Sequence, residues 1–447
     1  MKVLLFHGYL LRGTGSNIYN ANLAPALARL GHEVHLLCQD REVELEGVEI
    51  HNPDIGGLLP VYVKDPYEGF EVKAFPELSD DELDHYLDAN VAAVRAVAEA
   101  AGGIDAGLAN HLVMGPAILA RAGVSRYAAK IHGSALEYTV KPHPRFRPYA
   151  EEGVAAAAGV LVGSRHTGES LWEALPEVPG LREKTRLGPP GVDIDAFRPG
   201  EGRGPGLVAF LGKLIVSKGV DLLLAAWPLV KAKHPEARLE VAGFGEFETG
   251  LCRLQAALER GDLDDAREVA RLGRALEGGE EGRLPILSAF LADPPPGYLD
   301  AARAAAGSVE FVGRLGHDEV SGFLPRAEAL VMPSTFPEAF GMVAAEAAAC
   351  GTLPISAGHS GMLEVSRELA AGLSPEVAEL LSFPVGDGAV EAIAARLSAW
   401  LSLPAERREP SREALVETVR RLWSWEGVAR GVLAAASGEL ATLPDPA

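Results

Sequence analysis

Short apolar runs that end in Gly, His or Ser recur along this chain, with helical segments between them. "KVLLFH" is followed by the helical "NANLAPALARLGH", closed by Gly31, and then by "EVHLLCQ". "AGLANH", "RYAAKIHGS" and "GVLVGSRHT" continue the series, after a helix "DELDHYLDANVAAVRAVAEAAG" that ends at Gly102. Strands that are apolar on both faces need cover on both faces, so the alternation predicts a parallel sheet between helices. Around "LGPPGVDIDAFRPGEGRGPG" the pattern dissolves into Gly and Pro, as a domain boundary does. It then restarts with strand "LVAFLG", helix "GVDLLLAAWPLVKAK", strands "RLEVAG" and "VEFVGR", helix "DEVSGFLPRA" and strand "ALVMPS". Two α/β domains in tandem are expected, with a cleft between them. The segment "SREALVETVRRLWSWEGVARGVLAAA", carrying Trp423 and Trp425, reads as one long helical stretch.

Composition narrows the partners. A length of 447 residues exceeds one ordinary domain. A formal charge of -21 argues against nucleic acid or an anionic bilayer as the main partner. The cysteines Cys38, Cys252 and Cys350 are far apart in apolar surroundings, and read as buried thiols of a reducing compartment. No apolar run reaches membrane-spanning length, and a cytoplasmic location follows. Between "VAGFGE" and "VEFVGR", residues 247–308 form an insertion longer than a usual connection. It reads as a packed helical excursion, with a lid or a homo-oligomer contact as the alternative.

The segment "MPSTFPEAFGMVAAEAAACG" carries two carboxylates eight positions apart. Its strand should end at Ser334, and ligands of doubly wound sheets bind outside the carboxyl ends of strands. Glu338 then lies on the loop. The amides of Phe340, Gly341, Met342 and Val343 open a helix stopped by Gly351, where free N–H groups favour an anion such as a diphosphate. Glu346 lies little more than a turn into that helix and leans back toward its N-terminus. A carboxylate repels phosphate, so both glutamates should meet hydroxyls; the bland reading is a surface helix with two ordinary glutamates. In "FLGKLIVSKG", again at a strand end, Lys213 and Lys218 could neutralise a diphosphate leaving group; either lysine alone would read as a solvated surface residue.

The other candidates are in the first half. In "GYLLRGTGSNIYN", Gly13 and Gly15 allow close backbone approach, and Ser16 or Asn17 could cap the next helix. The third glycine of a dinucleotide fingerprint is missing, although Asp40 could act as its ribose-binding acid. His132 follows a strand and should point into the cleft, while a structural histidine is the alternative. His143, Arg145 and Arg147 form a cationic loop that could meet an anionic acceptor or simply be solvated. No H-E-x-x-H or paired C-x-x-C spacing occurs, so no metal ligands are expected.

Taken together, "GTGSNIYNANLAPALARLGHEVHLL", "HGS", "GPPGVDIDAFRP", "FLGKLIVSKGVDLLLAAW", "VAGFGE", "VEFVGRLGHDEV", the E-x7-E segment and the terminal "WSWEGVA" resemble the family-4 retaining glycosyltransferases of the GT-B fold. The resemblance implies two Rossmann-like domains, 1–198 on the acceptor side and 199–403 for the nucleotide-sugar, with helices of 404–447 crossing back to pack on the first domain. It implies that Glu346 binds the donor ribose, Glu338 the transferred sugar, and Lys213 and Lys218 the diphosphate. Gly15 would approach the phosphates, His132 the sugar's reacting carbon or 6-hydroxyl, and Gly243 to Gly245 with Gly313 and Arg314 the nucleobase. No cofactor or bound metal is implied.

The implied reaction transfers a hexose from a nucleoside-diphosphate sugar, UDP first and GDP next, to an acceptor hydroxyl with retention; the acidic balance and the lack of a basic amphipathic helix lean toward a soluble small molecule or glycan as acceptor. Both glutamates belong to the donor site, so the two-carboxylate scheme of retaining hydrolases is not assigned. Lys213 stands where the family often has arginine, losing bidentate geometry. Thr14 separates glycines that are often adjacent, and Ala339 replaces a frequent proline. Competing readings are a nucleotide-sugar-binding protein without turnover, an epimerase or phosphorylase of similar fold, and an NAD-dependent oxidoreductase resting on "GTGSNI" and Asp40.

Overall fold

A computed structural model of the chain describes residues 1–13, 15–63, 67, 69–200 and 202–446. The chain forms two compact units, Met1–Gly191 with Trp423–Ala447, and Val192–Leu422.

The first unit holds β1 (Lys2–Phe6), β2 (Glu33–Leu37), β3 (Val48–His51), β4 (Leu58–Val61), β5 (Glu71–Ala74), β6 (Ala106–Asn110), β7 (Tyr127–Ile131), β8 (Gly159–Val162) and β9 (Thr185–Leu187). Its main sheet runs β3-β2-β1-β6-β7-β8-β9, parallel throughout, and β4 pairs with β5 apart from it. Every residue of β6 and β7 is buried, which is why these strands lack polar alternation. Two apolar layers flank the sheet. One centres on Phe6, Leu87, Ile118, Phe146 and Leu171; the other on Leu5, Leu23, Leu27 and Leu36, closed by Trp425, Ala429 and Val432 of the helix Trp425–Ser437. The C-terminal helix therefore supplies one wall of the first unit's core.

The second unit holds β10 (Leu207–Leu211), β11 (Arg238–Ala242), β12 (Val309–Gly313), β13 (Ala329–Met332), β14 (Leu353–Ala357) and β15 (Ser382–Phe383), in the order β12-β11-β10-β13-β14-β15. Both sheets reverse direction of winding beside their first strand, between β1 and β6 and between β10 and β13. Such switch points open a crevice at the carboxyl ends of the strands.

Three expectations change here. The terminal stretch is two helices, Ala405–Leu422 and Trp425–Ser437, because Ser424 caps the second by accepting from Gly427 N at 3.3 Å. The first of them belongs to the second unit, so residues 404–447 do not pack as one body. It is held there by Arg412, buried against the Glu328 carboxylate, with Arg408 on the same oxygen at 2.8 Å. The insertion is a packed helical excursion: helices Glu248–Arg260, Leu263–Leu272, Pro285–Ala292 and Tyr298–Ala304 bury Leu251, Leu254, Val269, Leu287 and Tyr298. Tyr298 Oη donates to Ala225 O at 2.8 Å, tying it to the helix Val220–Lys231. Cys38 and Cys350 are buried, but Cys252 is exposed on the insertion's first helix. Among the described residues no helix is long and apolar enough to cross a membrane.

Candidate functional site

The second unit's switch point assembles the charged residues. Lys213 and Lys218 lie on the loop after β10, and Glu338 on the loop after β13. The Lys218 ammonium donates to Glu338 Oε1, which also accepts from Ser334 Oγ at 2.8 Å. Lys213 is half-buried. Gly219 ends the lysine loop with φ +66°; a Cβ there would lie 2.0 Å from Pro333 O. Only glycine therefore lets this loop lie against the β13 strand end, and Thr335 N closes the contact on Ser217 O at 2.9 Å. The insertion adds a further tie: Glu277 Oε2 accepts from Val216 N at 2.8 Å, inside the lysine loop.

Three residues that sequence reasoning missed fix the Glu338 loop. His359 donates through Nε2 to Ser334 O at 2.9 Å, and its Nδ1 accepts from Ser360 Oγ at 3.1 Å. Ser360 Oγ in turn accepts from Glu338 N at 2.9 Å, and Gly361 N donates to Glu338 O at 2.9 Å. The signal available was "AGHSG" at the carboxyl end of another strand, β14. Linear distance from Glu338 hid it.

The helix after β13 is Met342–Ala349, with Gly341 at its N-cap and Phe340 preceding it. The amides at Met342 and Val343 are therefore first-turn donors, as expected. Glu346 is half-buried and has no side-chain hydrogen bond or ion pair among the described residues. Protein packed around it pushes its carboxyl up to about 7. Ionising such a carboxyl is costly unless donors come to meet it.

Gly243 and Gly245 press on the lysine loop from the β11 end. A Cβ at Gly243 would meet Gly212 O at 1.9 Å, and one at Gly245 would meet Leu214 O at 2.4 Å. Close packing of backbone on backbone is thus sufficient reason for both glycines. Gly243 N donates to Gly313 O at 2.8 Å, and the Arg314 guanidinium stacks 4.7 Å over the exposed ring of Phe244. Phe244 was not singled out from the sequence.

The first unit's switch point is built largely of imidazoles and side-chain amides, with the Lys130 ammonium 5.4 Å over the Tyr19 ring beside His132. His132 Nε2 lies 2.8 Å from Asn110 Oδ1; Asn110 Nδ2 donates to Phe6 O and to Asn20 Oδ1; Asn20 Nδ2 reaches His7 Nδ1 at 3.0 Å; His7 Nε2 reaches Asn17 Oδ1 at 2.9 Å. This chain of amides fixes both tautomers, with the proton on Nε2 of His7 and of His132. His132 Nδ1 is left as a lone pair. Burial lowers His7 to about 4 and holds His111 and His132 well below the usual imidazole value. The four rings Tyr9, Tyr62, His111 and His132 pack at centroid distances of 4.8–5.8 Å.

Gly13 takes φ +97° and Gly15 opens the helix Gly15–Arg29; Thr14 lies outside the described residues. Ser16 and Asn17 sit inside that helix and do not precede it, so neither caps it. Asn17 Nδ2 instead bonds Arg12 O, holding the glycine loop. Asp40 holds the same loop from the other side. Its oxygens accept from Leu11 N at 3.1 Å and Glu42 N at 3.2 Å, and Arg12 lies 3.3 Å away. That overturns its reading as a ribose-binding acid. Arg145 is likewise structural, donating to Leu78 O at 2.7 Å and pairing with Asp80 at 2.8 Å.

Two doubly wound units, each with a switch point dressed in polar side chains, make this a protein of the GT-B fold. The chain belongs to the family-4 glycosyltransferases: "Glycosyltransferase Family 4" matches residues 13–196 and "Glycosyl transferases group 1" matches 298–417, between them most of the chain. Among its relatives, D-inositol 3-phosphate glycosyltransferase of Streptomyces avermitilis is 31% identical over 53% of this chain and 45% of its own. The Pseudarthrobacter chlorophenolicus protein of the same name is 25% identical over 78% of this chain and 75% of its own. The chain spans about half the length of the first relatives it matches. Of solved structures, sucrose-phosphate synthase of Thermosynechococcus elongatus aligns with TM-score 0.59 at 19% identity, covering 99% of both chains. Anabaena HepE in complex with UDP-glucose aligns with TM-score 0.60 at 14% identity, covering 99% of this chain and 100% of its own. These two carry the fold alone.

Proposed function

We propose that this chain is a retaining hexosyltransferase that takes a hexose from a nucleoside-diphosphate sugar, UDP first and GDP next, to an acceptor hydroxyl. The observation that carries the reading is the pairing of Lys218 with Glu338 at one switch point, beside a helix whose half-buried Glu346 has no partner among the described residues. Ribose hydroxyls are donors of the kind Glu346 lacks. The first-turn amides of Met342 and Val343, with Lys213 and Lys218, meet the diphosphate, and Glu338 takes the sugar's hydroxyls. Gly13, Gly15 and Ser16 border the phosphates, while Gly243, Gly245, Gly313 and Arg314 border the base. His132, neutral and with Nδ1 free to accept, meets the transferred sugar.

In the reaction the bond from the sugar's C1 to the donor phosphate oxygen breaks, and the diphosphate leaves with both electrons. The acceptor oxygen bonds C1 from the same face, and its proton passes to a donor phosphate oxygen. The lysines and helix amides stabilise the departing charge, so the scheme needs no bound metal. UDP-glucose is the donor to try first, since HepE was solved with it. A polyol phosphate is the acceptor to try first, from the relatives' name, and the site of action is the cytoplasm.

Thermal stabilisation across UDP, GDP, ADP and NAD tests the donor class, because a ligand that binds only the folded chain raises its stability. A nucleoside diphosphate should stabilise, and Lys218→Ala should then lower kcat by about 10²–10³-fold while changing donor affinity less. Stabilisation by NAD alone, or wild-type kcat in the variant, would overturn the reading. Product that requires inorganic phosphate, or an epimer released without acceptor, would replace transfer by phosphorolysis or epimerisation.

A further inference from the structure

Strand register at the outer edge of the first unit's sheet gathers residues that no linear spacing announces. β3 is the edge strand and pairs with β2 in parallel, His35 opposite Glu49 and Leu37 opposite His51. Alternate residues share a face, so His35, Glu49 and His51 stand together, with Glu33 two positions before His35. His35 Nδ1 lies 3.1 Å from His51 Nε2 and 3.4 Å from Glu49 Oε2, and His51 Nε2 lies 3.8 Å from Glu49 Oε1. Tetrahedral zinc with bonds of about 2.0–2.1 Å sets its ligand atoms roughly 3.3–3.4 Å apart. Two of the spacings, 3.1 and 3.4 Å, bracket that edge, and the third runs to the other oxygen of Glu49.

The other nitrogen of His35 supports the same reading. Nε2 lies 3.1 Å from Glu33 Oε1; with the imidazole proton on Nε2 and donated to that carboxylate, Nδ1 is left as a lone pair. This lone pair then faces the Glu49 carboxylate, acceptor against acceptor, and shares its space with His51 Nε2. A proton relieves one of these contacts at a time; a divalent cation relieves all three. Among the described residues neither Glu33 nor Glu49 is paired with a lysine or arginine, so two carboxylates and two imidazoles offer a charge that matches M²⁺. The His35 side chain is 6% exposed, His51 23% and Glu49 67%. The set is thus anchored on the sheet and open to water on one side.

We propose that His35, Glu49 and His51 bind one divalent first-row metal ion, Zn²⁺ foremost, with Glu33 orienting His35 and water in the remaining position. The ion would clamp the edge strand β3 to β2. It lies in the other unit from Lys218, Glu338 and Glu346, and the proposal does not rest on the donor reading.

The test is a Zn²⁺ titration of chelator-stripped full chain against a competing indicator, with thermal unfolding beside it. One Zn²⁺ per chain should bind and raise Tm, and Co²⁺ in its place should give the visible bands of a tetrahedral site. Glu33→Gln should weaken binding about 10–100-fold, and His51→Gln and Glu49→Gln more than that. Both latter residues are exposed enough for the variants to fold, which circular dichroism checks. Absence of saturable one-to-one binding, or wild-type Zn²⁺ affinity in Glu49→Gln and in His51→Gln, would overturn the proposal.

Discussion

Replacing Glu346 by Gln asks whether this half-buried carboxyl is the group that meets the donor. Desolvation without a partner raises it from 4.5 to about 7. The folded chain then keeps a proton that the unfolded chain has already released. Stability from the neutral form is complete below pH 4.5 and is lost as pH rises to about 7. Over that gap the loss is on the order of 3 kcal/mol. Hydroxyls donating to the ionised form pull a carboxyl back toward its ordinary value. Donor binding at pH 6 should therefore release about 0.9 proton, and affinity should rise roughly 50–100-fold from pH 5 to pH 8. UDP-glucose suits the assay because its diphosphate diester does not titrate in this range. Calorimetry in two buffers of different ionisation enthalpy counts the proton. In Glu346→Gln the release should vanish, and the ligand-free variant should be more stable than wild type above pH 7. Equal proton release in variant and wild type, or an unchanged profile of stability against pH, would refute the argument.

Three further outcomes follow from packing. Gly361→Ala puts a Cβ 2.6 Å from the Ala339 carbonyl, so it should cost about 1–3 kcal/mol by denaturant unfolding and weaken donor binding by displacing the Glu338 loop. Glu328→Gln leaves Arg408 and Arg412 without their shared carboxylate; a loss of about 3–5 kcal/mol is expected, and a change below measurement error would show the pair to be dispensable. A thiol reagent added to native protein should label one cysteine, Cys252, because Cys38 and Cys350 are buried and burial pushes both thiols up to about 12; labelling mapped by mass spectrometry to either buried thiol would contradict that.

What could be read from the sequence was whatever local pattern dictates. β6 and β10 announced themselves because strands buried on both faces have to be apolar throughout. The helix after β13 announced itself through its glycine stop. The gathering of Glu338, Lys213 and Lys218 after β10 and β13, with Glu346 on the helix that follows, was legible because each follows a strand read from its apolar run. The break at Ser424 was not: the hydrophobic rhythm runs through it, and the pairs that tie the preceding helix to the second unit, Arg412–Glu328 among them, join residues as far as 84 positions apart. Asp40 misled for a related reason. A strand-end acid looks the same in one dimension whether it faces a ribose or holds Leu11 and Glu42 by their amides. Ser334, His359 and Ser360 act through contacts up to 25 residues apart, which linear spacing does not encode.

The two switch points also divide the chemistry, and the division bears on what each can accept. The second unit gathers formal charge: Lys213, Lys218, Glu338 and Glu346. The first gathers histidines that burial keeps neutral, locked in one tautomer by Asn20 and Asn110. A diphosphate needs cations beside first-turn amides, and the former set gathers Lys213 and Lys218 beside the helix that opens at Met342. A neutral imidazole with a lone pair and a run of side-chain amides suits hydroxyls, since bonding to them asks for no charge to be created in a buried place. An oxidoreductase reading leaves the charged set idle and finds Asp40 already engaged. A reading in which a sugar leaves a diphosphate for a hydroxyl gives both sets work, and it is the carboxyl of Glu346, still lacking donors in the free chain, that makes the difference measurable.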